Sequence, residues 1–307
     1  MKRLLSILFI FILGIVLVAC DRNDDTQQDT ITIRFGGSTS VEKAIQSVAD
    51  AFKAEVPRFN YEMVQTGSSD GYKRTLGSEK DNNPAEIGFA SRSFKDSEDV
   101  TNAYFSGTFA LDAIAVVVHK DLNIDNLTQE QIKQIFTGEV TDWSEINSNL
   151  SGTINIYTRD EASGTREAFQ DLIGFTHEEL TTDAIGTSGN GDMATKVGKD
   201  DRGIGYVSLA TDFEGNGIKP VQYNGVKATI ENTNNESYTL ARPFNFTTRS
   251  EDDFASVEVK QMVAAFIAYL GTKDAMAIMA EHGVVVNDNN APIWENIRSN
   301  HPIVDRQ

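Results

Sequence analysis

The stretch ITIRFGGSTSVEKAIQSVADAF, residues 31–52, decides the fold. Ile31, Ile33 and Phe35 alternate with Thr32 and Arg34, the two-residue period of a short strand. Gly36-Gly37 breaks the alternation, and the period then changes. Val41, Ile45, Val48 and Phe52 fall at i, i+4, i+7 and i+11, which lines one face of a helix. Thr39 followed by Glu42 reads as a capping box at the start of that helix, and Pro57 ends it. Strand, small-residue turn, helix is the grammar of α/β folds built on parallel sheets.

The grammar recurs downstream. Residues 61–65 read as a strand, Gly67-Ser68-Ser69 as a turn and 72–76 as a helical stretch; 86–90 is a further strand, followed by Ser91-Arg92-Ser93. AIAVVV, 113–118, has the composition of a buried strand. Thr128 with Gln131 opens a helix carrying Ile132, Ile135 and Phe136. Residues 154–157 form another strand, leading through 158–165 into a helix with Phe169 and Leu172. A strand at 204–208, one more at 244–246 and an amphipathic helix through Val259, Val263, Phe266 and Leu270 complete the pattern. No short-period repeat or low-complexity stretch interrupts it.

The chain has 307 residues, enough for about two domains. Its 45 acidic residues against 27 basic ones give a net charge of -18. That balance argues against a nucleic-acid partner, which needs a basic footprint. It also means that any anionic ligand must be held by local donors against the global field. With one cysteine, Cys20, no disulfide can form within the chain, and the four histidines are scattered without metal-ligand spacing. No metal or other cofactor is expected.

The first residues follow the plan of a secretory leader: Lys2-Arg3, an apolar run over 4–18, and small Ala19 before Cys20. The run is short for a bilayer span, although a signal-anchor helix is the alternative reading. Leu17-Val18-Ala19-Cys20 resembles the bacterial lipoprotein cleavage box. This implies removal of 1–19 and acylation of Cys20 with chains such as palmitate, each buried methylene adding about 0.8 kcal/mol to anchoring. DRNDDTQQD, 21–29, reads as a flexible tether.

Three turns share one chemistry: Gly36-Gly37-Ser38-Thr39-Ser40, Gly67-Ser68-Ser69 and Ser163-Gly164-Thr165. Each opens a predicted helix, where unpaired N–H groups and a partial positive charge favour anions. Each is also read, taken alone, as an ordinary helix cap. Arg159, four residues before Ser163, could bind an oxyanion through two parallel hydrogen bonds. Arg92 is a second candidate, with a surface salt bridge as its other reading.

Together these stretches resemble the phosphate-binding (PstS-type) receptors of bacterial phosphate ABC transporters, within the type-2 periplasmic binding-protein fold. The matching segments are GGSTSVEKA (36–44), GSSDGYK (67–73), IGFASR (87–92), LDAIAVVV (111–118), LTQEQIKQIFTGEVTDW (127–143), TRDEASGTREAF (158–169), GIGYVSL (203–209) and ARPFNFTT (241–248). They are spread through 30–285 in the right order.

The resemblance implies two α/β lobes joined by crossover strands near 111–116 and 242–246, with a ligand cleft between them. Lobe one is expected over 30–112 and 243–307, and lobe two over 113–242. It implies phosphate binding by Thr39, Ser40, Ser68, Arg92, Arg159, Ser163, Gly164 and Thr165, with Ser38 and Ser91 in support and Glu161 orienting Arg159. Another branch of the family has Ser-Asp where this chain has Ser91-Arg92. The acceptor for the proton of monohydrogen phosphate is therefore sought elsewhere, at Asp70. The implied protein is a monomeric, non-catalytic lipoprotein of the periplasm, held at the cell membrane and serving ABC permease subunits. Sulfate or arsenate is the alternative ligand. The remote alternative is a serine hydrolase, because Gly67-Ser68-Ser69-Asp70-Gly71 fits G-x-S-x-G with Ser69 as nucleophile and His282 as a conceivable partner.

Overall fold

The alternating segment at 31–35 folds as strand β1 (Ile31–Gly37), and the helix after it is α1 (Glu42–Glu55). The computed structural model describes residues 30–287 and 289–306. The leader, Cys20 and the tether lie outside the described residues. The same alternation continues through β2 (Phe59–Gln65), α2 (Ser68–Thr75) and β3 (Ile87–Ala90). A long strand follows, β4 (Ser106–His119), then β5 (Asn126–Leu127), α3 (Gln129–Thr137), β6 (Asn155–Arg159) and α4 (Gly164–Ile173). Next come β7 (Ile185–Thr187), α5 (Asn190–Val197), β8 (Gly203–Ser208), α6 (Phe213–Asn216), β9 (Ile218–Pro220), β10 (Gln222–Tyr223) and α7 (Ile230–Asn234). The chain finishes through β11 (Ala241–Thr248), α8 (Val257–Leu270), α9 (Lys273–Glu281) and α10 (Trp294–Ile297).

The main sheet runs β2-β1-β3-β11-β4-β8-β6-β7, with β9 beside β4. Its two ends are parallel: β1 pairs with β2 and β3, and β6 with β7 and β8. Its middle is antiparallel, because β4 and β11 run against each other with Arg242 opposite Asp112. The first half of β4, through Ala113, pairs with β11; from Ile114 it pairs with β8. One strand thus begins in one lobe and ends in the other, and β11 makes the return crossing.

Each end of the sheet has its own apolar core. One cluster draws on residues of 31–110 and 244–304, the other on residues of 113–240. In the first, Phe266 stacks on Phe59 at 5.5 Å and meets Phe52 edge-on. In the second, Phe169 stacks on Tyr206 at 4.1 Å. Burying such a ring contributes roughly 1.5–3 kcal/mol, so each lobe is held by its own packing and the strands between can flex.

Two local readings resolve differently. At Thr128 the capping box is present, with Thr128 Oγ1 accepting from Gln131 N–H at 3.2 Å and Gln131 Oε1 accepting from Thr128 N–H at 2.9 Å. At Thr39 it is absent. The helix starts only at Glu42, Val41 occupies the cap position and no side chain caps it. The reason is local: Ser38 Oγ accepts from Ser40 N–H at 3.2 Å, folding 38–41 into a separate turn that leaves the Thr39 hydroxyl facing the other lobe.

Candidate functional site

The three hydroxyl turns follow the carboxyl ends of β1, β2 and β6, where open α/β sheets bind ligands. The two lobes meet there in direct contact. Ser40 Oγ lies 2.9 Å from Thr165 Oγ1, a bond between side chains 125 residues apart. Ser69 N–H points at Ala162 O across 3.4 Å. A Cβ on Gly164 would lie 2.2 Å from Ser68 Oγ, and one on Gly67, whose φ is +150°, 2.6 Å from Ala162 O. Glycine at both positions lets the two turns touch. Two grooves open on this seam. One, of about 330 Å³, runs beside Thr39, Ser40 and Ser188; the other, about 520 Å³, beside Lys95, Ser163 and Arg166.

Arg159 ends β6 with its side chain only 1% exposed. Its partners are all distant. Nη1 reaches Thr39 Oγ1 at 3.4 Å, Nη2 reaches Asp160 Oδ2 and Ser188 O at 3.4 Å each, and buried Nε has none. Burial lowers its pKa, with Asp160 opposing the shift, yet a guanidinium stays charged. This is a buried cation with under-used donors. Tyr206 Oη accepts from Arg159 N–H at 3.1 Å, and Arg166 Nη1 donates to Arg159 O at 3.1 Å, so the backbone beneath it is fixed.

The hydroxyls nearby are positioned by one another. Ser163 caps α4, its oxygen accepting from Arg166 N–H at 3.2 Å. The cap takes a lone pair and leaves the hydroxyl proton free, so the capping and ligand readings of this serine coexist. Ser68 Oγ accepts from Ser91 N–H at 3.0 Å and faces Ser91 Oγ at 3.1 Å. The structure therefore brings together Thr39, Ser40, Ser68, Arg159, Ser163, Gly164 and Thr165, with Ser38 and Ser91 behind them.

Three expected residues fall elsewhere in role. Arg92 sits on the seam but its end fork is occupied, while buried Nε makes an ion-pair contact without a hydrogen bond: Nη1 and Nη2 bind the two oxygens of Glu98 at 2.7 and 2.8 Å, and further bonds go to Ser93 O and Ser69 Oγ. Its Nε lies 2.9 Å from Glu167 Oε2 on lobe two, which also binds Lys95 Nζ at 3.0 Å. Burial alone would lower the Arg92 pKa, but the two carboxylates hold it above its ordinary value. It clasps the lobes rather than presenting a free fork. Glu161 is 85% exposed, with the His177 ring 3.8 Å away; the carboxylate beside Arg159 is Asp160. Asp70 lies 3.7 Å from Lys73 Nζ. Two residues past Ser68 is about 200° around a helix, so Asp70 faces away when Ser68 faces the cleft. The hydrolase reading loses its partners as well: Ser69 Oγ accepts from Arg92 Nη2 at 3.2 Å, and His282 Nε2 bonds Ser47 Oγ at 2.8 Å.

Two residues not anticipated from the sequence complete the cluster. Asn190, at the start of α5, donates to Ser40 Oγ at 2.9 Å. Arg242 of β11, 2% exposed, pairs with Asp112 at 2.8 Å and donates to Ser40 Oγ at 3.0 Å. Burial pushes the Asp112 carboxyl up and the Arg242 guanidinium down, and their contact opposes both shifts. The ARPFNFTT segment held the arginine in view; its partner, 130 residues away, depends on strand register.

Two lobes with separate cores, two crossing strands and a seam of hydroxyls around a buried guanidinium define a hinged solute-binding protein. The chain belongs to the PBP superfamily, whose domain model matches residues 23–274. It has the type-2 fold. It is similar to a Clostridium perfringens protein assigned as a phosphate ABC transporter substrate-binding protein and solved with bound phosphate, at 32% identity and a TM-score of 0.75, covering 84% of this chain and 100% of that one. It is also similar to the phosphate-binding protein PstS of Borreliella burgdorferi, 25% identical over 285 residues, 90% of this chain and 96% of the relative. The phosphate-binding protein PstS 2 of Streptococcus agalactiae is 33% identical over 154 residues, 48% of this chain. That match spans half (50%) of the relative's length.

Proposed function

We propose that this protein captures inorganic phosphate between its lobes, outside the cytoplasm, and delivers it to the permease of an ABC transporter without catalysing a reaction. The single observation that carries the reading is Arg159: a guanidinium 1% exposed, with no hydrogen-bond partner closer than 3.4 Å among the described residues, reaching the Thr39 hydroxyl of the other lobe next to the Ser40–Thr165 contact. A tetrahedral oxyanion answers those donors. The relatives' names, and the phosphate in the Clostridium protein, support phosphate as that anion.

In this reading Arg159 supplies the charge. Ser163 and Thr165 hydroxyls and the N–H groups at the start of α4, including Gly164, donate from lobe two; Thr39 and Ser68 donate from lobe one. Ser38, Ser40 and Ser91 hold those donors in place, and Asp160 steadies Arg159. The net charge of -18 does not defeat capture, because charge-assisted bonds in a closed, dry seam act at short range, while surface charge is screened beyond roughly 8 Å. The lobes divide near 112–113 and 242–243, a boundary supported by the two cores. Cleavage before Cys20 and acylation there would keep the monomer at the membrane beside its permease.

Calorimetric titration of residues 30–307 tests the reading. Phosphate is expected to bind with a stoichiometry of about one and more tightly than sulfate. Heat with sulfate or arsenate but none with phosphate would replace the ligand, and no binding to any oxyanion would overturn the function.

A further inference from the structure

Ser40 Oγ lies at a junction whose proton directions are forced. Arg242 Nη2 can only donate, and it does so at 3.0 Å. Asn190 Nδ2 donates at 2.9 Å, and the amide cannot be turned around, because its Oδ1 accepts from Ser208 N–H at 3.0 Å. Both lone pairs of the Ser40 hydroxyl are then filled, so its one proton goes to Thr165 Oγ1 at 2.9 Å. Thr165, 1% exposed, has no second partner among the described residues, and its own proton is left to donate.

Arg242 is oriented the same way. Its Nε and Nη2 edge grips Asp112 Oδ2 at 3.1 and 2.8 Å, and Ser208 Oγ binds the other carboxylate oxygen at 2.7 Å. Of the end fork, Nη2 meets Ser40, and buried Nη1 has no hydrogen-bond partner among the described residues, the guanidinium lying 5.8 Å from the centre of the Phe244 ring. Arg159 lies near enough to disfavour the charge on Arg242. The two buried guanidiniums reach neighbouring residues of one turn, Arg159 to Thr39 at 3.4 Å and Arg242 to Ser40 at 3.0 Å, beside the Thr165 hydroxyl.

We infer that Arg242 is a second anion-holding guanidinium of the cleft, set on the hinge strand β11, which offers Nη1 to the ligand and, through Ser40, fixes Thr165 as a donor. The inference rests on the phosphate reading above and goes further by tying ligand charge to the hinge itself. Because Asp112 and Arg242 stand opposite each other on β4 and β11, the anion draws on the two strands that must bend when the lobes close.

The test is calorimetry with inorganic phosphate on the full chain, with thermal midpoints measured alongside. Arg242→Gln alone would leave Asp112 buried without its cation, so it is paired with Asp112→Asn. That double variant is expected to fold and to bind phosphate ~10- to 100-fold more weakly. Arg242→Lys, which keeps the charge but loses the fork, should recover part of the loss. The deficit should be larger above the second ionisation of phosphate than below it, since a lost cation is felt most by the dianion; a loss that is only structural would be the same at both. Ser40→Ala, with both charges intact, should weaken binding by roughly 3- to 10-fold through Thr165. Unchanged affinity in the double variant, or in Ser40→Ala if the double variant does not fold, overturns the inference. If the parent protein binds no phosphate while these variants fold normally, the functional reading has failed instead.

Discussion

Arg92 and Arg159 invite comparison because they look alike. Each stands at or just past the end of a short strand, each is nearly sequestered from solvent, and each neighbours a hydroxyl turn. Their surroundings are opposite. Arg92 is held by both oxygens of Glu98 and approached by Glu167, so its charge is answered within the protein. Arg159 has Asp160 at 3.4 Å and, among the described residues, no other carboxylate bonded to it. The lesson is that burial alone does not mark a ligand arginine; unspent hydrogen-bonding capacity does. The lobe-one arginine links carboxylates of both lobes across the seam, and the lobe-two arginine is the one proposed to meet the anion.

The comparison breaks first at Arg159. Arg159→Gln removes the charge and at least two charge-assisted bonds, about 3 kcal/mol or more, so phosphate affinity should fall by more than ~100-fold in calorimetry. Retained affinity would mean that the two arginines had been assigned the wrong way round. Gly164→Ala comes next. Its methyl would meet Ser68 Oγ at 2.2 Å only when the lobes are shut, so closure should suffer while each lobe stays folded. Crowding of this kind costs about 1–3 kcal/mol, or roughly 10- to 100-fold in affinity, with an unchanged circular-dichroism melt of the unliganded protein.

Glu167→Gln sharpens the contrast from the other side. It loosens the clasp without touching Arg159, so stopped-flow release of phosphate should quicken by about 2- to 5-fold, and added salt should narrow the gap between parent and variant. The smallest effect is on pH. Burial would raise the Glu98 pKa, but Arg92 and the Lys95 N–H hold it below the ordinary 4.5. A depressed carboxyl contributes stability that is fully present above 4.5 and is lost as pH falls through its lower folded value. The thermal midpoint of the phosphate-loaded protein should therefore lose the clasp's share only below that range, and Glu98→Gln should flatten the decline.

What could be read from the sequence was local. The strand–turn–helix units and the Arg159-to-Thr165 run lie within a few residues of one another, so period and residue type exposed them. The capping reading succeeded at Thr128 and failed at Thr39, where Ser38 folds 38–41 into its own turn and leaves the Thr39 hydroxyl to the opposite lobe. The cross-lobe partner of Arg92 and the partner of Arg242 were hidden for one reason. Glu167 belongs to the other lobe, and Asp112 meets Arg242 only through the register of β4 against β11, which no short motif encodes. Asp70 and Glu161 were misplaced because proximity in sequence was taken as a guide to direction; a helix turns Asp70 away, and a solvent-facing loop carries Glu161 outward.

The most direct test is a crystal structure of this protein grown with phosphate. The account predicts one anion on the seam, with Arg159 Nε and Nη atoms and the Ser163 and Thr165 hydroxyls within about 3 Å of its oxygens, and the Arg92–Glu98 pair undisturbed. An anion bound instead at Arg92, with Glu98 displaced and Arg159 still idle, would contradict it.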